Sequence, residues 1–284
     1  MRIGFIGCGP QAIEHAKAVR LLGHDISLCA GSTSMSRTAH AFGDIFNCPV
    51  APVHEVPEYV DRLVVSIPPR ETEALNEYLF NEINVPTLIE KPTCLTFPYK
   101  YAKHVSVGYN RRFLSPVMHL RNLIQFFPVE KYVFTINESV SAKSRRLDLS
   151  REEVYKYSTC HYIDLKNYLF PKNSGIRGNV IYLEDQPVNT SLTVYFKHKV
   201  VAVLSPLERL SVYTEMQIRQ GEYGRIYTPQ LDYTIEEQSH GIKPGIAEQM
   251  RRWINNEEGV ADMLDEMLVF DEIEAMDLCS KVTY

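Results

Sequence analysis

The sequence predicts an α/β chain, with a doubly wound parallel sheet over residues 1–110 and an α+β domain on an open, mostly antiparallel sheet over residues 111–284. Three observations predict it. An apolar strand-length run at 3–6 enters Gly7-Cys8-Gly9-Pro10-Gln11-Ala12 and then a helical stretch at 12–22. Further short apolar runs, at 25–30, 62–67, 86–90 and 104–108, are spaced as strands of successive βα units. Beyond Phe113 the pattern changes to long alternating segments with few helices between them.

Composition supports a folded chain of this size. Hydrophobic residues make up 45% and charged residues 23% of the 284, enough apolar surface for two cores and too much for disorder. A net charge of −5 argues against a general nucleic-acid or anionic-membrane surface, so neither partner is expected. No run approaches the about 20 apolar residues of a membrane span. The six cysteines, Cys8, Cys29, Cys48, Cys94, Cys160 and Cys279, are scattered without a C-x-x-C pair, so no disulfide framework and no metal site is expected. Strand begins directly after Met1, which leaves no room for a leader, and a cytoplasmic location is the default expectation.

The first βα turn reads G-x-G-x-x-A, the dinucleotide fingerprint of a Rossmann domain. Gly7 permits the tight turn, Gly9 lets backbone approach a pyrophosphate, and Ala12 is the small residue that packs helix on strand. Pro10 and Gln11 open the helix, whose first N–H groups have no partner within it and suit an anion. The plain alternative is a glycine turn that only joins strand to helix.

The second strand, 25–30, ends in Gly31-Ser32-Thr33-Ser34 with Arg37 beyond. An NAD site ordinarily has Asp or Glu here to hold the ribose hydroxyls, and this strand end has neither. Ser32, Thr33 and Arg37 suit a 2′-phosphate, which a carboxylate would repel, so NADP is favoured over NAD. Alternatively, Ser32 and Thr33 cap the next helix. The third strand ends in Ser66-Ile67-Pro68-Pro69, where prolines turn the chain at the ligand edge, making Ile67 and Pro68 cofactor contacts. The fourth ends in Glu90-Lys91-Pro92, a charged pair at that same edge.

In the second half a helix is expected at 115–127, strands at 133–140, 178–183, 191–196, 200–205 and 210–218, and closing helices at 246–256 and 262–279. A helix over 152–170 carries Tyr157, His161 and Asp164, with Tyr157 and His161 four apart on one face. A helical histidine aimed at a cofactor can act as a general acid, although one alone is more often packed or solvated.

Together, Gly7-Cys8-Gly9 with His15, Ser66-Ile67-Pro68-Pro69, Glu90-Lys91-Pro92, Val107-Gly108-Tyr109-Asn110-Arg111-Arg112-Phe113 and Cys160-His161-Tyr162-Ile163-Asp164 resemble the glucose–fructose oxidoreductase, inositol dehydrogenase and MocA (Gfo/Idh/MocA) family. The resemblance spans most of the chain. It implies a Rossmann domain and a substrate domain whose open sheet often forms an oligomer interface, here of a homodimer or homotetramer. It also implies Lys91 near the nicotinamide, with Glu90 beside it, and His161 at the substrate. Two departures stand out. Tyr157 occupies the position where the family often has aspartate, with Thr159 in place of the usual glycine, and the stretch between Pro92 and Val107 is short for the helix the family runs there.

The chemistry expected is reversible hydride transfer between nicotinamide and a hydroxyl or carbonyl carbon of a small-molecule substrate, a sugar or nucleotide-sugar. Reduction develops alkoxide character on oxygen, which the site must stabilise or protonate. His161 is the expected proton donor, Lys91 a fixed cation for the substrate oxygen or nicotinamide ribose, and Tyr157 a second acid or an orienting residue. Asn110, Arg111 and Arg112 are expected at the substrate, whereas Lys143, Arg145 and Arg146 suit a solvated face. Without its flanking motifs, Glu90-Lys91 would read as a solvated turn. Competing functions are imine or other carbonyl reduction on the same scaffold, and a non-catalytic dinucleotide-binding regulator.

Overall fold

The computed structural model describes residues 1–31, 33, 35–75, 77–96, 101–123, 129–135, 147–169, 181–182, 192–196, 200–203, 213–220, 223–227 and 235–275. The chain forms two compact units, one of residues 1–113 with 233–267, the other of residues 114–232 with 268–284. The first stretch ends three residues beyond the cut expected at 110, and 233–267, expected with the second domain, clusters with the first.

In the first unit, β1 (Arg2–Ile6), β2 (Asp25–Ala30), β3 (Arg62–Val65), β4 (Thr87–Ile89) and β5 (Val105–Val107) are parallel, in the order β5-β4-β3-β1-β2. These strands are nearly continuous runs of buried apolar residues, the mark of a sheet covered on both faces. Strand order reverses between β1 and β3, so the crevice at their carboxyl ends is the place where a doubly wound sheet takes a ligand. The expected doubly wound α/β fold is observed.

Helix α1 (Pro10–Leu21) buries Ala12, Ala16 and Val19, and α2 (Arg37–Phe46) buries Ala39, Phe42 and Phe46. A short helix, α3 (Pro69–Ala74), follows the two prolines. No helix occupies the described residues of 93–106, which are 93–96 and 101–106.

The segment 233–267 completes this unit. It adds a two-residue antiparallel edge strand beside β5, Ala261 pairing with Val107 and Asp262 with Ser106. It also adds a helix at Ile246–Ile254, on which Ile246, Met250, Trp253 and Ile254 recur on one face and join the core around Ile3, Phe5 and Val19. Each such buried side chain stabilises by about 1.5–3 kcal/mol, so the segment is integral to the core. Within this segment the edge strand and a short helix, Ile235–Ser239, were not expected.

The second unit contains the helices Ser115–Leu123 and Arg151–Leu169, and Met263–Ala275 enters it from the first. Its described strands form two antiparallel three-stranded ladders. One comprises Val129–Thr135, Tyr213–Gln220 and Tyr223–Tyr227, the other Ile181–Tyr182, Leu192–Phe196 and Val200–Val203. The antiparallel pairing expected here is observed, but among the described residues it forms two ladders and not the single open sheet expected. The strand expected at 133–140 begins earlier, at Val129, and Tyr223–Tyr227 was not anticipated. No helix among the described residues is long and apolar enough to cross a membrane.

Candidate functional site

Gly7 leaves β1 at φ +88°, and its N–H donates to the Ala30 carbonyl at 2.9 Å. A Cβ on Gly7 would lie 2.3 Å from the Ser66 carbonyl oxygen and 2.5 Å from Ile67 Cγ2, so only glycine allows β1 and β3 to end side by side. Gly9, the residue that starts α1, differs. A Cβ there would meet no protein atom within 4 Å, which leaves open space over the helix start. Pro10 is exposed at the first helical position, Gln11 is partly buried, and Ala12 is fully buried against the core. A tight turn, an uncovered backbone and an uncapped helix start fit the diphosphate of a dinucleotide, because such a group takes N–H donors and tolerates no side chain between.

At the end of β2, Thr33 is exposed and its carbonyl accepts from Ser36 N–H at 3.1 Å. Ser36, whose hydroxyl accepts from Ala39 N–H at 3.3 Å, is the residue that caps α2. Arg37 is exposed at the first position of that helix, and Ser32 lies outside the described residues. Beneath this edge the thiol of Cys29 meets those of Cys8 and Cys48. The Cys48 contact lowers the Cys29 thiol, but the Cys8 contact and burial outweigh it and push the thiol up to about 12. Contact with Cys29 and burial also raise Cys48. Cys29 and Cys48 are therefore core thiols that stay protonated at neutral pH.

Glu90 and Lys91 follow β4 at the same carboxyl edge, with Glu90 N–H donating to the Val65 carbonyl at 2.9 Å. His15 Nε2 is 2.6 Å from Glu90 Oε1, and Gln11 Nε2 donates to the same oxygen at 3.2 Å. Lys243, from the returning segment, donates to Gln11 Oε1 at 2.8 Å. Burial pushes the Glu90 carboxyl up, but the His15 contact, the charge of Lys91 and the Gln11 bond together hold it below the ordinary carboxylate value. A depressed folded-state pKa contributes stability above the unfolded value of 4.5 that disappears as pH falls through the folded value. In urea titrations, Glu90→Gln is therefore expected to flatten the loss of stability below pH 4.5 relative to the wild-type chain. An unchanged acid limb would contradict this account.

Lys91 is buried, with 8% exposure. The segment after it is anchored by two carboxylates. Glu266, fully buried, accepts from Thr93 N–H at 2.9 Å and from the Tyr109 hydroxyl. Glu73 Oε1 accepts from Leu95 N–H at 2.9 Å, Thr96 N–H at 3.1 Å and the Thr96 hydroxyl at 2.8 Å. Neither carboxylate is marked by a motif, and only their distant partners reveal them.

Ile67 is partly buried against Gly7, and Pro68 is exposed. Asn110, Arg111 and Arg112 form a short 3-10 turn with both arginines buried. Asn110 Nδ2 donates to the Pro244 carbonyl at 3.0 Å, and Arg112 Nη1 donates to Asp265 at 3.1 Å and to the Gly259 carbonyl at 3.3 Å. In the second unit Tyr157 is partly buried, His161 is buried, and Asp164 is fully buried on the helix Arg151–Leu169. Lys143, Arg145 and Arg146 lie outside the described residues.

No protein-family model and no curated protein sequence matches the chain. Solved structures do. The myo-inositol dehydrogenase of Corynebacterium glutamicum is 14% identical with a TM-score of 0.69, over 96% of this chain and 94% of that one. The UDP-N-acetylglucosamine 3-dehydrogenase of Acidithiobacillus ferrooxidans is 14% identical with a TM-score of 0.69, over 97% and 96%. The WlbA dehydrogenase of Thermus thermophilus, solved with NAD and UDP-GlcNAcA, is 14% identical with a TM-score of 0.64, over 96% and 93%. Nearly the whole chain therefore has the fold of the inositol dehydrogenases and related dehydrogenases of Gfo/Idh/MocA type, the group its motifs resemble.

Proposed function

We propose that the chain is a dinucleotide-dependent oxidoreductase that moves a hydride between nicotinamide and a hydroxyl or carbonyl carbon of a sugar or nucleotide-sugar. The observation that carries this reading is the Gly7–Gly9 turn, closed on Ser66 at one glycine and open at the other, at the reversal point of a parallel sheet. Gly7, Gly9, Pro10, Gln11 and Ala12 would hold the diphosphate side, with Ile67 and Pro68 beside them. Once bound, the dinucleotide supplies hydride chemistry. The chain's own task is to orient the substrate and handle its proton. Lys91, a buried cation at this edge, is assigned to the substrate oxygen or the nicotinamide ribose. His161 is assigned as proton donor, with Tyr157 as a second acid or an orienting residue. Arg111 is assigned to the substrate, whereas Asn110 and Arg112, held by Pro244 and Asp265, brace the returning segment. The antiparallel strands of the second unit form the surface assigned to homodimer or homotetramer formation.

NADP is preferred in this reading. β2 ends without a carboxylate, and Thr33 and Arg37 are exposed just beyond it. Fluorescence titration with NADPH and NADH tests the preference on the wild type and Arg37→Ala. NADPH is expected to bind the wild type more tightly. Arg37→Ala is expected to weaken NADPH about tenfold or more, as befits a lost charge-assisted hydrogen bond, and to leave NADH unchanged. Equal binding of the two, or no effect of the substitution, would remove the NADP assignment. A second reading, dinucleotide binding without turnover, is favoured by Tyr157 standing where the resembled family often has aspartate.

A further inference from the structure

We propose that His15 is a positioning residue for Lys91, acting through the Glu90 carboxylate, so that the helix beginning at Gly9 and the segment carrying Lys91 are held in fixed register. The inference rests on the dinucleotide-dependent reading. His15 is fully buried on the face of α1 that also carries Ala12, Ala16 and Val19, where packing alone would favour an aliphatic side chain. Its Nδ1 has no hydrogen-bond partner among the described residues, so the one polar contact the ring makes there is Nε2 to Glu90 at 2.6 Å. An ionised carboxylate only accepts, which requires that Nε2 carry the proton.

Gln11, four residues earlier and therefore on the same helical face, donates to the same Glu90 oxygen at 3.2 Å. The Glu90 backbone is fixed separately by its bond to Val65. The Glu90 carboxylate is thus held by two donors from α1 and its backbone by the sheet, and the next residue along the chain is Lys91. Without the imidazole, the Glu90 side chain keeps only the longer Gln11 bond and turns more readily toward the Lys91 ammonium. That would move the cation away from the place where a dinucleotide or substrate oxygen meets it. Packing does not explain a buried donor with one unused nitrogen, whereas control of the neighbouring carboxylate does.

NADPH and NADH serve as probes in fluorescence titrations of the wild type, His15→Leu, His15→Gln, Glu90→Gln, Lys91→Met and the double variants with Lys91→Met, each checked by thermal melting. His15→Leu and Glu90→Gln are each expected to weaken binding about fivefold to tenfold, the scale of one lost hydrogen bond to a charged group. His15→Gln, which keeps a donor, is expected to recover affinity to within about twofold of wild type, less than the loss of a single hydrogen bond. In the Lys91→Met background both losses are expected to shrink below about twofold, the non-additivity of residues acting as one unit. Losses that persist undiminished without Lys91, or a His15→Gln variant no better than His15→Leu, would overturn the positioning role. If His15→Leu does not fold, Glu90→Gln with and without Lys91→Met carries the same comparison. A wild type that binds neither dinucleotide would overturn the functional reading and this inference with it, whereas binding with additive losses overturns this inference alone.

Discussion

Gly7→Ala is expected to lose about 3 kcal/mol of stability, the sum of backbone strain and broken strand-end hydrogen bonds, and to bind no dinucleotide at concentrations that saturate the wild type. At φ +88° an L side chain is strained by about 1–2 kcal/mol before any contact is counted. The added Cβ would then lie 2.3 Å from Ser66 O and 2.7 Å from Ser66 C, which are backbone atoms with no rotamer to escape into. Relief requires β1 and β3 to part at their carboxyl ends, at the expense of the bonds from Ser66 N–H to Ile6 at 2.8 Å and from Gly7 N–H to Ala30 at 2.9 Å. Urea denaturation measures the stability, and fluorescence titration the binding. Gly9→Ala is the informative partner. Its φ of −78° suits any residue and its Cβ meets no protein atom, so stability should stay within about 0.5 kcal/mol of wild type. Affinity should nevertheless fall, because the methyl group occupies the room left for the ligand. A Gly9→Ala chain that binds as tightly as wild type would mean that nothing approaches that backbone.

What the sequence made legible was local. β1, its glycine turn and α1 are specified within about 20 residues, because conformational freedom at Gly7 and the apolar spacing on either side each have one local solution. The parallel sheet was legible for the same reason, each strand being a short apolar run ended by Gly or Pro. The return of 233–267 to the first unit was not. The spacing of Ile246, Met250, Trp253 and Ile254 announces an amphipathic helix but not which sheet its face covers, and the Ala261–Asp262 strand is too short to carry a period. Ser32, Thr33, Ser34 and Ser36 form a cluster in which any hydroxyl could cap α2, and only geometry selects Ser36. Cys8, Cys29 and Cys48, scattered in the sequence, meet because β2 lies beside β1 with Phe5 opposite Cys29, and because the chain after α2 bridges back at Val50. At the candidate site Glu90 and Lys91 were visible as an odd charged pair. The partners of Glu90, 75 and 79 residues away, were not.

Lys91→Met is expected to lower turnover by about 10²–10⁴, the usual range for a group that stabilises or protonates a developing charge, while leaving the fold intact. Methionine keeps the unbranched stem and removes the ammonium, so the buried position stays filled and the desolvation cost of a cation disappears. The melting temperature is therefore expected to hold or rise as activity falls, the opposite pairing from Gly7→Ala, where both fall. Removing the cation also takes away one of the influences that hold the Glu90 carboxyl below its ordinary value, so the Lys91→Met chain should lose less stability in acid than wild type does. These readouts separate the competing functions. Turnover on a panel of sugars and nucleotide-sugars that depends on Lys91 marks an oxidoreductase. A wild type that binds dinucleotide and turns over none of the panel, with Lys91→Met altering only affinity and acid stability, marks a binding protein that keeps the cradle and has lost the chemistry. A lysine retained only for structure would give a third result, a drop in melting temperature with no change in dinucleotide affinity.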